Sequence, residues 1–436
     1  MLTLLCDFSS VMTTIWHVLL AFIILMIMVL IHETGHYAAG KALGFQINEF
    51  SIGMGPRIFS KKKKNGEVFS LRALPLGGFC AFEGENEDGT DNPASFNSQK
   101  PWKRLIVLFS GAFFNFVSAI IIGIIAFGCY GDNVAYVKKV YDYAPVANRQ
   151  LQQGDILYKI NGKRVFILDD ISRYMDTDKE MTFVVLRPTT DDSGAVTYRE
   201  EELKGLTRNV FSSCQITKTD GDIISQEGDR KLTVGDTVYK LNGEPLGGKG
   251  KFAEIISDSA GECRLTVLGS DAVEYDYVID KTLFDNGAVT VTDVEYKGIG
   301  MIVSYAAYRF DFGESVARTF PYCGEVAMLV LRTLGGLLTG VVGVEQVGGP
   351  ITTISMTSQI VATGFANVLR LIVLISVNLA VFNLLPVPAL DGCQMVFVII
   401  EWIARRPINR KVQSYINGIG LILLIILMVL IDLLKL

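Results

Sequence analysis

The sequence predicts a polytopic α-helical membrane protein with about four transmembrane helices, a membrane-associated β-hairpin region and two tandem β-rich domains outside the membrane. Half of its 436 residues are hydrophobic. The apolar residues are concentrated in long runs near both ends of the chain, whereas the central region, residues 134–310, has an ordinary soluble composition. Within that region a nine-residue motif occurs twice, which indicates two repeated domains.

Four apolar runs have the length of about 20 residues that is needed to cross a bilayer. They cover residues 11–36, 105–130, 365–385 and 416–434. The first run lacks a basic region before it, so it is not expected to be a cleavable signal peptide. A fifth run, residues 321–344, is rich in glycine and carries Arg332. This composition favours an interfacial or re-entrant helix, with a true span as the alternative.

The distribution of positive charge predicts the orientation of the spans. No lysine or arginine precedes the first span, and the loop between the third and fourth spans is basic. The segment between the first and second spans carries Lys41, Arg57, Lys61, Lys62, Lys63, Lys64, Arg72, Lys100, Lys103 and Arg104. Both basic segments are therefore predicted to be cytoplasmic, and both termini and the central region extracytoplasmic.

The charge and the cysteines exclude some classes of function. A net charge of -5, with no basic patch interleaved with aromatic residues, gives no reason to expect a nucleic-acid partner. The seven cysteines form no C-x-x-C pair and have no metal-binding spacing. They are interpreted as isolated thiols, although Cys214 and Cys263 could pair if the central region is outside the cell.

The strongest chemical signal is His32-Glu33-Thr34-Gly35-His36, at the end of the first apolar run. Two histidines four residues apart lie on one helical face and can bind one metal ion, and the adjacent glutamate is placed to act as a base on water. A charged residue at mid-bilayer costs roughly 2.5 kcal/mol or more, so such residues are seldom without a role. Because the chain has only three histidines, a chance match is improbable. The third, His17, is interpreted as an interfacial residue.

A catalytic zinc ion usually has three protein ligands and one open position. The best candidate for the third ligand is Asp391, which follows two prolines at the end of the third span. The prolines break the helix and would return this carboxylate at the depth of the histidines. A helix-capping role for Asp391 is the alternative. Asn383, just before the break, could hydrogen-bond the substrate carbonyl or its oxyanion, or satisfy the broken backbone.

Residues 45–82 alternate apolar and polar side chains with glycine, which predicts short strands whose edge could pair with an extended peptide. The repeated motif is Gly154-Asp-Ile-Leu-Tyr-Lys-Ile-Asn-Gly162 and Gly235-Asp-Thr-Val-Tyr-Lys-Leu-Asn-Gly243, identical at six of nine positions. Each copy predicts a turn, a strand and an Asn-Gly turn. This pattern resembles PDZ domains, which implies binding of peptide ends or strands; a role as spacer or steric filter is the alternative.

The whole chain resembles the site-2 protease family of intramembrane zinc metalloproteases, specifically the bacterial branch with PDZ domains that cleaves anti-sigma factors. Besides the two metal motifs, the matching segments are Ile52-Gly-Met-Gly-Pro56, Pro75-Leu-Gly-Gly-Phe79, Pro101-Trp-Lys-Arg104, Gly111 with Asn115, and Gly349-Pro-Ile351. The resemblance implies that His32, His36 and Asp391 bind zinc, that Glu33 is the catalytic base and that Asn383 supports catalysis.

The chain departs from the family pattern at two places. It has Asp391-Gly392-Cys393 where the family usually has Asp-Gly-Gly, and Gly111-Ala-Phe-Phe-Asn115 where the family has Gly-Pro-x-x-Asn. Neither change removes an expected ligand. The first leaves open that Cys393 approaches the metal.

The expected organisation is a first transmembrane helix with H-E-x-x-H (1–40), a cytoplasmic-side β-hairpin region with an acidic loop (41–104), a second transmembrane helix (105–130), PDZ-like domains (131–207 and 208–300), an interfacial or re-entrant helical segment (301–364), a third transmembrane helix with the Leu-Asp-Gly motif (365–392), a cytoplasmic loop (393–415) and a fourth transmembrane helix (416–436).

The expected function is zinc-dependent hydrolysis of peptide bonds within or near the transmembrane segment of single-span membrane proteins or remnant signal peptides. The expected cofactor is Zn²⁺, and the expected partners are such substrates, an upstream site-1-type protease that trims them, and the lipid bilayer. The expected location is the bacterial cytoplasmic membrane, with the site near the cytoplasmic side. A membrane PDZ scaffold, or a zinc sensor without proteolysis, is the alternative.

Overall fold

The computed structural model describes residues 2–85, 92–141, 144–175, 177–191, 193–226, 230–246, 250–268, 273–341, 343 and 349–433. The chain divides into two compact units. The first comprises Met1–Asp132 together with Arg309–Leu436, and the second is Asn133–Tyr308. Most of the acidic loop that follows the β-hairpin region, residues 86–91, lies outside the described residues.

The helices, in chain order, are α1 (Leu2–Leu43), α2 (Pro101–Tyr130), α3 (Leu168–Tyr174), α4 (Lys251–Asp258), α5 (Thr282–Asp285), α6 (Phe312–Thr339), α7 (Pro350–Ala362), α8 (Phe365–Leu384), α9 (Asp391–Ala404) and α10 (Arg410–Leu433).

The strands are β1 (Ile47–Lys62), β2 (Val68–Phe82), β3 (Asp132–Val140), β4 (Ile156–Ile160), β5 (Lys163–Arg164), β6 (Met181–Thr190), β7 (Val196–Leu206), β8 (Asn209–Thr219), β9 (Thr237–Leu241), β10 (Glu244–Pro245), β11 (Glu262–Leu268), β12 (Glu274–Asp280), β13 (Val289–Gly298) and β14 (Met301–Tyr308).

Four helices among the described residues are long and apolar enough to cross a membrane: Ile15–Leu43 of α1, all of α2 and α8, and Arg410–Ile431 of α10. The prediction of a membrane protein with four such helices and β-rich sheets is therefore confirmed. Helices α6 and α7, within the segment expected to be interfacial or re-entrant, are not among the four. The interfacial placement of that segment stays a prediction, and its residues 342 and 344–348 lie outside the described part.

Local sequence explains where the helices begin and end. Proline occupies the first position of α2, where its missing N–H costs nothing. The Asp311 side chain accepts a hydrogen bond from the Glu314 N–H at the start of α6. Helix α8 ends at Leu384, two residues before Pro386, because the residue preceding a proline disfavours helical backbone.

The cytoplasmic loop predicted at 393–415 is largely helical instead. Helix α9 occupies Asp391–Ala404, and α10 begins at Arg410, before the predicted start at residue 416. The apolar sequence of α9 favours a buried helix, and its residues Phe397 and Val398 are indeed buried. The buried Glu401 near its end forms ion pairs with Arg104 of α2 and Arg410 of α10, with N···O distances of 2.7 and 3.1 Å.

Between α1 and α2, the long strands β1 and β2 bend so that they behave as four short strands. Residues 49–52 pair with residues 78–81 on one side and with residues 68–71 on the other. The bends lie at glycines with positive φ, among them Gly53 and Gly77. Among the described residues, residues 78–82 pair with a strand on one side only. This segment, here called the edge segment, is therefore open to another strand.

A buried carboxylate holds the bent sheet together. Glu49 accepts hydrogen bonds from Arg57, Ser70 and Arg72, the last at 2.8 Å. Burial tends to raise the pKa of Glu49, but these hydrogen bonds and the positive charge of Arg72 outweigh it and lower the pKa to about 2. Glu49 is therefore ionised at any physiological pH and links the short strands.

The second unit contains two sheets. The first has the strand order β14-β3-β4-β6-β7, and the second has the order β12-β11-β9-β8-β13. Separate apolar clusters lie under the two sheets, one around Phe183 and one around Leu265. The predicted boundaries differ from this arrangement, because β14 belongs to the first sheet although it was expected to begin the segment 301–364. The second β domain is thus inserted into the first between β7 and β14.

The buried side chain of Asn148 links the two chain segments that connect the inserted domain to the first β domain. The Asn148 amide nitrogen donates to the carbonyls of Thr207 and Ile299 at 2.7 and 2.9 Å. Its oxygen accepts from the Thr207 N–H at 2.9 Å. Asn148 is fully buried, so these bonds replace those that water would make.

The repeated motif has the same structural role in both copies. Asp155 and Asp236 each accept two hydrogen bonds from an arginine, Arg187 and Arg230 respectively. The asparagines of the two copies, Asn161 and Asn242, both have a φ of 51°, a left-handed conformation that asparagine tolerates in tight turns. The motif therefore encodes a buried ion pair and a turn.

Cys214 and Cys263 are buried free thiols in the second β domain. They lie on β8 and β11, which are separated by β9 in the sheet. The intervening strand explains why no disulfide joins them.

Candidate metal centre

One turn of α1 presents both motif histidines on the same face. His32 and His36 are buried, with 6% and 7% of their surface exposed. Their Nε2 atoms are 3.1 Å apart and their rings meet edge to face. The helical spacing predicted from the sequence therefore brings the two nitrogens together.

The carboxylate of Asp391 completes the group from the first residue of α9. Its Oδ2 atom lies 2.9 Å from Nε2 of His32 and 3.3 Å from Nε2 of His36. The turn before it includes Ala389 with a φ of 73°. Gly392 is required there, since a Cβ atom would lie 2.2 Å from the carbonyl oxygen of Leu385. The chain therefore changes direction at the two prolines after α8, and this brings the Asp391 carboxylate next to the histidines.

The three atoms fit a zinc ion. Tetrahedral zinc with ligands at about 2.0–2.2 Å places neighbouring ligand atoms about 3.3 Å apart, close to the separations found here. Asp391 Oδ2 is buried but makes no hydrogen bond of normal geometry with any described residue, as expected for an atom that faces a cation. Two histidines and one carboxylate leave a fourth position open. Among the described residues, Cys393 is not part of this group.

Helices α1 and α2 approach each other at two glycines beside the histidines. A Cβ atom on Gly35 would lie 2.4 Å from the Ser110 carbonyl oxygen, and one on Gly111 would lie 2.4 Å from His36 Nε2. This contact lets the Val107 carbonyl accept a hydrogen bond from His36 Nδ1 at 2.8 Å. Such a bond directs Nε2 toward a metal.

Two asparagine amides lie beside the other histidine. The amide nitrogens of Asn115 on α2 and Asn383 on α8 are both 3.4 Å from Nδ1 of His32. The sequence predicts Asn383 to be near the site, whereas it identifies Asn115 only as part of a segment that matches the family. Asn115 lies one helical turn beyond Gly111 and therefore on the same face of α2, but only the packing of α2 against α1 shows that this face meets the histidines.

Glu33 lies between the histidines and the edge segment. Its carboxyl group lies near the backbone N–H of Cys80. A Cβ atom on Gly78 would lie 3.6 Å from its Cγ atom. Glu33 is not one of the three grouped ligands. His17 lies about 22 Å from His32 along α1, so it has no part in the group.

Comparison with known proteins agrees with this geometry. A family model described as Peptidase family M50 matches residues 20–427. The chain belongs to peptidase family M50. The resemblance to the site-2 proteases is thereby confirmed, and the prediction of an enzyme that hydrolyses peptide bonds agrees with the family.

Curated relatives cover nearly the full length of this M50 chain. It is 25% identical over 422 residues to the zinc metalloprotease RasP of Bacillus licheniformis, covering 94% of this chain and 96% of that protein. Proteins provisionally named zinc metalloproteases are 27% identical over 423 residues in Agrobacterium fabrum and 28% identical over 417 residues in Clostridium perfringens. The alignments cover 92% and 97% of those two proteins. The expectation of a zinc metalloprotease agrees with these names.

Proposed function

We propose that this protein is a zinc metalloprotease that hydrolyses peptide bonds within or beside the transmembrane segment of single-span membrane proteins. The observation that carries the proposal is the grouping of His32, His36 and Asp391 within 3.3 Å of one another. The histidines are on a helix apolar enough to span a membrane. Ionisable groups at that depth are costly and are kept for function.

In this proposal His32, His36 and Asp391 would hold Zn²⁺, which when bound would polarise the scissile carbonyl and activate water. Glu33, next to the first ligand, accepts the proton of the attacking water and passes it to the leaving amine. The Asn383 amide donates a hydrogen bond to the carbonyl oxygen as negative charge develops on it. His36 is kept in place by its bond to Val107.

The edge segment is the proposed binding surface for the substrate backbone. A transmembrane helix hides its peptide bonds in internal hydrogen bonds, so the substrate must unwind before cleavage. An extended segment could then pair with residues 78–82, which adjoin Glu33. Backbone pairing gives affinity without demanding a particular side-chain sequence. This supports a protease that accepts several substrates, including anti-sigma factors and remnant signal peptides.

The proposed location is the bacterial cytoplasmic membrane, with both termini and the second unit outside the cytoplasm. The basic residues between α1 and α2, and those from Arg405 to Lys411, support a cytoplasmic position for these segments. We interpret the two β domains as PDZ-like domains. They would select substrates by ectodomain size or by an end exposed by an upstream protease.

A membrane scaffold with a structural metal is the second candidate. A closed structural zinc site usually has four protein ligands. Among the described residues the group contains three, which favours the enzyme.

The function is tested by incubating the purified protein with a single-span membrane protein in lipid vesicles and mapping the products by mass spectrometry. We expect a cut within or next to the transmembrane segment, which stops on chelation and resumes when zinc is added. Cleavage confined to soluble regions of the substrate, or cleavage that survives chelation, would contradict the proposal.

A further inference from the structure

We infer that Asn115 is a positioning residue for the metal centre, whose amide oxygen accepts a hydrogen bond from the Nδ1–H group of His32. The bond fixes the tautomer and the ring orientation in which Nε2 of His32 can bind a metal. This inference rests on the proposed zinc site and deepens it, because it assigns the support of the first ligand to a particular side chain.

The chemistry of the imidazole sets the requirement. Nε2 of His32 faces Asp391 and His36, so it is the nitrogen that must carry the lone pair for a metal. A neutral imidazole with a free lone pair on Nε2 carries its proton on Nδ1. That proton is buried and needs an acceptor. For His36 the acceptor is the Val107 carbonyl, whereas for His32 the groups within reach among the described residues are the two asparagine amides.

The burial of the two amides distinguishes them. Asn115 is fully buried and its Oδ1 atom has no hydrogen-bond partner in the described part of the chain, whereas Asn383 is only partly buried. In the recorded orientation the Asn115 amide nitrogen faces His32 Nδ1, so two N–H groups would meet once Nδ1 is protonated. A half-turn of the amide exchanges nitrogen and oxygen and places the unpartnered oxygen against that proton. The lost repulsion and the gained hydrogen bond both favour this orientation.

The backbone around Asn115 is held firmly enough for this role. Its carbonyl accepts hydrogen bonds from the hydroxyls of Ser376 on α8 and Ser118 on α2, at 2.7 and 2.8 Å. The two hydroxyls are themselves 2.9 Å apart. Because α2 and α8 are joined at this residue, the backbone that carries the Asn115 side chain is held in place beside His32. Asn383, freed from supporting His32, remains available for the substrate carbonyl.

The test compares Asn115→Leu, Asn115→Asp and Asn383→Leu in the full-length protein. The metal is removed and Co²⁺ is titrated back, with the visible absorption of the bound ion as the readout. We expect Asn115→Leu to weaken Co²⁺ binding 10- to 100-fold, the usual effect of losing a group that supports a metal ligand. Asn115→Asp retains an acceptor and should bind within about threefold of wild type. Asn383→Leu should also keep wild-type binding while it slows cleavage.

The other outcomes would contradict either this inference or the proposed zinc site. Wild-type Co²⁺ affinity and spectrum in Asn115→Leu would overturn the inference. Equal weakening of Co²⁺ binding in Asn115→Asp and Asn115→Leu would also overturn the inference. Both variants would then share a packing defect, and the presence of a hydrogen-bond acceptor would not be what supports the metal site. If the wild-type protein itself bound no Co²⁺, the proposed zinc site would fail first. Weak binding in Asn383→Leu with normal binding in Asn115→Leu would assign the role to Asn383 instead.

Discussion

Replacing Glu33 with glutamine is expected to abolish proteolysis while the protein keeps its zinc. The amide has nearly the same shape as the carboxylate but cannot take a proton from water. Loss of a positioned general base lowers kcat by about 10² to 10⁴. Glu33 is not among the three atoms grouped around the metal position, so the zinc content should stay at the wild-type level. Both quantities are measured on the same preparation, by product formation and by elemental analysis.

Thr34→Ala is a suitable control for this variant. Thr34 is the next residue on α1, is exposed, and donates its hydroxyl to the Leu30 carbonyl within the same helix. Its replacement should leave both zinc and cleavage near wild type. Undiminished cleavage by Glu33→Gln would remove the assigned base and favour the scaffold. Loss of zinc from Glu33→Gln would instead indicate that Glu33 binds the metal.

Replacing Gly111 with alanine is expected to destroy the metal site from a neighbouring helix. The added Cβ atom would lie 2.4 Å from His36 Nε2 and 2.6 Å from His32 Cε1. Neither ring can move away easily, since His36 is hydrogen-bonded to the Val107 carbonyl and both rings are buried. We expect zinc content to fall at least tenfold and cleavage to fall with it. Overpacking of this kind also lowers stability by about 1–3 kcal/mol.

Gly324→Ala provides the matched control. It is also a glycine within a helix, α6, but apart from the adjacent backbone of that helix no described atom lies within 4 Å of the position a Cβ would take. Alanine is favoured over glycine in a helix by about 1 kcal/mol, so this variant should be at least as stable as wild type and keep its zinc. Normal zinc content in Gly111→Ala would show that α1 and α2 do not meet as closely as the structure has them.

The parts of the metal centre that follow from local sequence could be predicted. His32, Glu33 and His36 belong to one helical turn, so their spacing alone places the two nitrogens on one face. Asp391 could be proposed because two prolines must end α8 just before it. The same reasoning could not find Gly111 or Asn115 as neighbours of the histidines. Their contacts depend on how α2 packs against α1, and no local pattern encodes that packing.

The predicted domain boundaries differ from the structure for the same reason, because they depend on contacts between distant parts of the chain. The strand Met301–Tyr308 pairs with β3, which lies more than 150 residues earlier in the chain, and the inserted domain hides that relation. The sequence therefore predicted two consecutive domains where the structure has one inside the other. The basic residues from Arg405 to Lys411 predict a cytoplasmic loop over 393–415, whereas the apolar residues before them form α9. The repeated motif was recognised, but its buried Asp–Arg pairs required arginines outside the motif.

The zinc content of the purified protein, measured for wild type, His36→Ala and Asp391→Ala, tests the proposed metal centre. We expect about one zinc ion per wild-type chain, with three protein ligands drawn from α1 and α9. Each variant removes one ligand and should lose most of the bound metal while remaining folded. Zinc retained in Asp391→Ala would contradict the joining of α1 and α9 by one ion, and a folded wild-type protein without zinc would contradict the metalloprotease itself.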